Sequence, residues 1–155
     1  MAPLIIVVVV GAIFLFAMSA GASTPSQSKI QQFAEAIAYA EGYWNRERVV
    51  NTNSRPARNN NPGDIEGTGD SGNEGVYAKF STIAKGWARL NSQVAYDLSG
   101  QSPIYQAPGN APFSEFTISD YAYNYTATAV DSWSENVASW LGVTRDTKIV
   151  DWLNS

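Results

Sequence analysis

The strongest constraint on this chain is an amphipathic helical pattern that runs into an acidic residue and stops. Ile30, Phe33, Ala34, Ile37 and Ala38 recur at helical spacing, so they share one face. Glu41 lies four residues past Ile37 and seven past Ala34, which puts its carboxyl on the same apolar face. Gly42 follows, the residue type best suited to the left-handed position that ends a helix. The pattern predicts a helix over 29–41, with Ser28 as N-cap and Gln31 as its capping-box partner. A carboxyl placed there loses solvation and faces the negative end of the helix dipole. Both effects raise its pKa, as suits a group that holds a proton near neutral pH and delivers it to a substrate. The plainer reading leaves Glu41 as one of 14 acidic residues, turned to solvent or paired with Arg46 or Arg48.

Two absences narrow the chemistry. The 155 residues include no His and no Cys. A Ser-His-Asp triad and a thiol nucleophile are therefore excluded, and zinc hydrolase sites, built almost always on those residues, are disfavoured. Carboxylates, amides, hydroxyls and Lys remain. The net charge is −4 and the ten Lys and Arg are scattered, so no basic patch invites nucleic acid. Five Trp, eight Tyr and six Phe suit a carbohydrate-facing cleft and an ordinary aromatic core equally well.

Residues 4–20 carry no charge. At about 1.5 Å per residue a helix there would reach roughly 25 Å, enough to cross a bilayer core with help from its flanks. The expectation is a transmembrane anchor over 1–21, a small polar linker over 22–28 and one domain over 29–155. A cleaved signal peptide is the alternative, with Ala20-Gly21-Ala22 as its cleavage site, but no Lys or Arg precedes the apolar run.

Between 42 and 81 helical periodicity disappears into Asn, Gly, Pro and Arg, a length that marks a functional loop region. Two short strands are predicted, over 64–67 and 76–80, entered through the turn Asn59-Asn60-Asn61-Pro62-Gly63. Its amides offer donors and acceptors for sugar recognition, although Asn and Gly also serve plain turn chemistry. Ser81 or Thr82 caps a helix to Leu98, with Ile83, Trp87, Leu90 and Val94 inward and Gly100 beyond. Thr117 and Asp120 introduce the segment 118–125, in which the spacing of Tyr121, Tyr123 and Tyr125 would fit a strand, while the capping signals and the helical surroundings favour a short helix. Asp131 or Ser132 caps another through Leu141, with Val137, Trp140 and Leu141 inward, and Thr144 or Thr147 starts the last.

Ile37-Ala38-Tyr39-Ala40-Glu41-Gly42, then Asn60-Asn61-Pro62-Gly63-Asp64-Ile65, then Phe80-Ser81-Thr82 with Gly86 and Leu90, resembles the lysozyme-like domain of phage virion-associated lytic transglycosylases. The run from Glu135 to Val143, with Asp146-Thr147, is similar to that family's C-terminal helices. The resemblance covers roughly 29–153. It implies an α+β fold, mainly helical and lysozyme-like with a small β-hairpin, here behind the N-terminal transmembrane helix. It implies cleavage of the β-1,4 bond between N-acetylmuramic acid and N-acetylglucosamine in peptidoglycan glycan strands. The catalytic glutamate falls on Glu41 and the amide-bearing turn on Asn60 and Asn61. The family often has Asn where Asp64 stands, so Asp64 becomes a candidate second carboxylate, with Glu66 and Asp70 as poorer ones. The family's cleft tyrosine has Tyr123 and Tyr125 as positional candidates.

Such a transglycosylase uses one carboxyl as acid and then base, with no metal or cofactor. The alternatives are a muramidase pairing Glu41 with Asp64, a non-catalytic glycan-binding or structural virion protein, and a membrane-anchored assembly factor. The predicted anchor places the enzyme in the membrane of a membrane-containing virion or in a bacterial envelope. Virion proteins are its further expected partners, and local opening of the wall during genome entry is its expected role.

Overall fold

The computed structural model describes residues 7–9, 12–14, 24–126 and 128–155. Val7–Val9 (β1) and Ala12–Phe14 (β2) are strands, paired antiparallel with Val7 opposite Phe14 and Val9 opposite Ala12. This pairing overturns the transmembrane helix expected over 1–21. Among the described residues no helix is long and apolar enough to cross a membrane. The single-pass anchor and the membrane localisation that rested on it fall together. An uncharged run specifies apolar surroundings, not a helix. This one is dense in β-branched Val and Ile, which favour strands, and it is broken by Gly11. The remaining residues of the run lie outside the described residues.

The first helix, α1 (Gln27–Ala40), starts two residues before the predicted position because Ser26, not Ser28, caps it. The Ser26 hydroxyl accepts from the Lys29 backbone N–H at 3.3 Å. Gln31 donates to Glu35 rather than back to the cap. At the other end Gly42 has φ +78°, its N–H donates to the Tyr39 carbonyl, and that of Tyr43 reaches the Ala38 carbonyl. This is the paired-bond termination that a left-handed glycine allows, and it fixes Glu41 as the C-cap, one residue past the end of the helix.

The loop after Gly42 contains one unforeseen turn of helix, α2 (Arg55–Arg58), capped by Ser54 and with Pro56 as its second residue, where no N–H is needed. The hairpin is smaller than predicted. Its strands are Asn73–Glu74 (β3) and Tyr77–Ala78 (β4), with Asn73 opposite Ala78. The segment 64–67 joins through a bridge between Glu66 and Tyr77, with the Ala78 N–H donating to the Ile65 carbonyl and the Gly67 N–H to the Val76 carbonyl. Glycines at 67, 69, 72 and 75 keep regular pairing short.

The remaining elements are helical. α3 (Ile83–Leu98) is capped by Thr82 and buries Leu90 and Val94, while Ile83 stays exposed and Trp87 is half-buried. α4 (Ile118–Tyr125) carries the full capping box of Thr117 and Asp120 that its sequence announced. α5 (Val130–Leu141) buries Trp133, Ser134, Val137 and Ala138. It begins at Ala129 without a side-chain cap, although Asp131 or Ser132 was expected to supply one. Trp140 and Leu141 are only half-buried. α6 (Ile149–Leu153) closes the chain. α1 is the central strut, packed against α3 and α5. Phe33 anchors it, fully buried and edge-on to Tyr121 at 5.2 Å, a burial that contributes about 2 kcal/mol. The architecture is a mainly helical α+β fold whose small hairpin lies after α2.

Candidate active site

Glu41 reaches a cleft of about 560 Å³ whose walls include Arg55, Asp64, Tyr77 and Tyr125. Its position follows from the helix end, and its surroundings follow from packing. The Trp133 indole Nε1 donates to Glu41 Oε1 at 2.7 Å. Trp133 is buried on α5 and stacks on Tyr125 at 5.1 Å, which in turn stacks on Tyr121 at 5.7 Å. Burial pushes the Glu41 carboxyl up to about 7. The indole bond works against that rise, the Asp64 charge adds to it, and the Arg55 charge offsets it. One neutral donor is too little to compensate an anion for lost water, so the proton stays on near neutral pH.

Asp64 occupies the opposite kind of environment. It follows the Asn61-Pro62-Gly63 turn and has φ +47°, a left-handed backbone that Asp and Asn tolerate better than most residues. Its side chain is buried. Arg55 Nε lies 3.0 and 3.1 Å from the two carboxylate oxygens, and Nη2 also donates to Oδ2. The guanidinium is itself stacked on Tyr77, 3.4 Å from the ring centroid. Both Asp64 oxygens are therefore engaged by a fixed cation.

The amides of the turn are used within the fold. Asn61 is fully buried; it donates to the Ile65 and Ala78 carbonyls at 2.9 and 3.0 Å and accepts from the Ile65 N–H at 3.0 Å. No hydrogen-bonding group with substantial reach to a sugar is left on it, and it ties the hairpin to the turn instead. Asn60 donates to the Phe80 carbonyl at 2.9 Å. Its own carbonyl packs against Gly86 of α3, where a Cβ would collide with it. Asn59 is buried with both side-chain polar atoms unpartnered.

The tyrosine candidates separate. Tyr123 is 73% exposed on the outer face of α4 and does not line the cleft. Tyr125 does line it, and its hydroxyl donates to the Gly63 carbonyl at 2.8 Å, bracing the Glu41 side against the Asp64 side. Glu66 sits exposed at the rim. Asp70 is away from the cleft, bonded to Lys85 and to Ser81. Among the described residues no group of three His, Cys, Asp or Glu side chains is placed to hold a metal ion.

Four participants were not singled out from the sequence: Arg55, Trp133, Tyr77 and Asp97. Asp97 alone had a signal. It lies seven residues past Leu90 and three past Val94, hence on the buried face of α3, by the same argument that located Glu41. It lines the cleft, and burial raises its carboxyl pKa. No protein-family model matches the chain, and no curated protein or solved structure shows significant similarity to it.

Proposed function

We propose that this protein is a lytic transglycosylase that cleaves the β-1,4 bond between N-acetylmuramic acid and N-acetylglucosamine in peptidoglycan, with Glu41 as acid and then base. The observation that carries the reading is the Glu41 carboxyl itself, at a cleft wall, with one neutral hydrogen-bond donor and a pKa near 7. In the first step the protonated carboxyl gives its proton to the glycosidic oxygen as the C1–O bond breaks, and positive charge develops on the muramic acid ring. In the second the carboxylate removes the proton of the ring's own 6-hydroxyl, whose oxygen attacks C1 and closes a 1,6-anhydro ring. A group that must first donate and then accept is best served by a pKa near the working pH.

The arrangement of Asp64 favours this single-carboxyl route over hydrolysis. A second carboxylate that activated water would need to be free to turn toward it. Both Asp64 oxygens instead take bonds from Arg55. Its role in the proposal is to fix the hairpin side of the cleft and to supply negative potential toward the developing cation. The resemblance to virion-associated enzymes extends the proposal to a virion protein that opens the wall locally.

Zymography on purified peptidoglycan tests catalysis, and mass spectrometry of the released muropeptides tests the reaction. The wild type should clear the gel and release 1,6-anhydro-muramic ends, while Glu41→Gln should lose roughly 10²–10⁴-fold in rate. Reducing ends would replace the transglycosylase by a muramidase, and equal clearing by both proteins would remove Glu41 from the chemistry.

A further inference from the structure

Arg89, Gln93 and Asp97 stand four residues apart on α3 and all three line the cleft. The deepest, Asp97, is 3% exposed, and its two carboxylate oxygens accept different donors. Gln93 Nε2 reaches Oδ1 at 3.0 Å and the Tyr121 hydroxyl reaches Oδ2 at 2.7 Å. A carboxylate only accepts, so it turns the Gln93 amide with its NH₂ inward and its carbonyl outward. That carbonyl takes Arg89 Nη1 at 3.2 Å. The Arg89 guanidinium is thus steadied from below by one neutral bond, is exposed, and among the described residues enters no ion pair.

The charge around it gives this a consequence. The other guanidinium in the cleft, Arg55, is engaged by Asp64 and covered by Tyr77. The other acidic side chains of the lining are Glu41, which enters the reaction protonated, and Asp64, Glu66 and Asp97. A carboxylate-bearing polymer entering this cleft meets a like-signed lining except at Arg89, whose free N–H groups match a carboxylate in geometry and sign.

We propose that Arg89 is a specificity-determining residue that receives a carboxylate of the glycan strand, with Gln93 and Asp97 as its support. The carboxylate belongs either to the lactyl ether of a muramic acid without a peptide, where it is free, or to the peptide of one that carries it. The inference rests on reading the cleft as a peptidoglycan site and names the group that the site recognises. The competing role for Arg89 is to balance the buried charge of Asp97, which would make it indifferent to the substrate's charge.

The full chain and Arg89→Gln are compared on three substrates: native peptidoglycan, peptidoglycan with its carboxylates converted to amides, and peptide-free strands with free lactyl carboxylates. On native wall the substitution should raise the apparent KM about tenfold, the effect of one charge-assisted contact, and leave kcat within about twofold. The wild type on amidated wall should behave like the variant on native wall, and the variant should lose nothing further there. Arg89→Lys should recover part of the affinity, and Gln93→Leu should raise KM less than Arg89→Gln does. A defect that persists on peptide-free strands assigns the lactyl carboxylate, and one that vanishes there assigns the peptide. Equal losses on native and amidated wall overturn the proposal. Should the wild type cleave no substrate, the proposed function fails separately. Sedimentation with native and amidated sacculi then reads the inference, and binding unchanged by Arg89→Gln overturns it.

Discussion

The two sides of the cleft treat a carboxyl in opposite ways. On the helical side Glu41 sits among aromatic rings with a single indole donor. On the hairpin side Asp64 is the more enclosed of the two, yet a guanidinium engages both of its oxygens. Burial alone therefore does not decide what a carboxyl does. The partner decides, because a neutral donor leaves the cost of desolvation largely unmet and a cation offsets it. The first environment raises the carboxyl's pKa, and the second ties the side chain to Arg55 on the hairpin side of the cleft. Tyr125 couples them, stacked on Trp133 at one end and bonded to the Gly63 carbonyl at the other.

This contrast can be broken most sharply by exchanging each acid for its amide. Glu41→Gln should remove roughly 10²–10⁴-fold of the rate, whereas Asp64→Asn should cost about tenfold through loosened positioning and leave the products unchanged. Losses of equal size in single-turnover assays would mean that the two carboxyls act as a pair.

The same exchange should separate the sides in stability. Below about pH 4.5 Glu41 is protonated whether the chain is folded or not. Between about 4.5 and 7 the folded chain keeps a proton that the unfolded chain has released. Its contribution to stability is therefore fully present below that window, is lost as pH rises through it, and stays lost above pH 7. At pH 8 Glu41→Gln should be more stable than wild type by up to about 3 kcal/mol, with the difference closing toward pH 4. Urea unfolding at a series of pH values measures this, and a difference that grows as pH falls would contradict it.

The smallest effect belongs to the indole. Trp133→Phe keeps an aromatic ring against Tyr125 and removes the donor that lowers the Glu41 pKa. The basic limb of the pH–rate profile should move to higher pH, because the acid form then persists further. A limb that stays in place would show that the bond contributes orientation alone.

Much of the framework was written in local pattern. The Glu41 position follows from helical period and Gly42, and the capping box of α4 follows from Thr117 and Asp120, since both depend on residues within one or two turns. Errors arose where a local pattern fits more than one partner. The uncharged run near the N-terminus satisfied a membrane helix by length, yet Val7–Val9 and Ala12–Phe14 within it pair as β1 and β2. Asn61 carried the chemistry of sugar recognition and of a turn alike, and the hairpin claimed it. Tyr123 and Tyr125 looked equivalent because a spacing of two does not say which side of a short helix faces inward.

By itself the sequence determined a chemistry without His or Cys and an acid at the end of an apolar helical face. The tertiary structure decided what that acid meets. Its donor, Trp133, lies 92 residues further along the chain, and the Arg55 that clamps Asp64 sits on a helical turn with no periodic signature. Such contacts come from the packing of distant elements. Helical period and capping act over a few residues, so they could aim Glu41 but could not supply the burial that raises its pKa to about 7 or the indole bond that works against that rise.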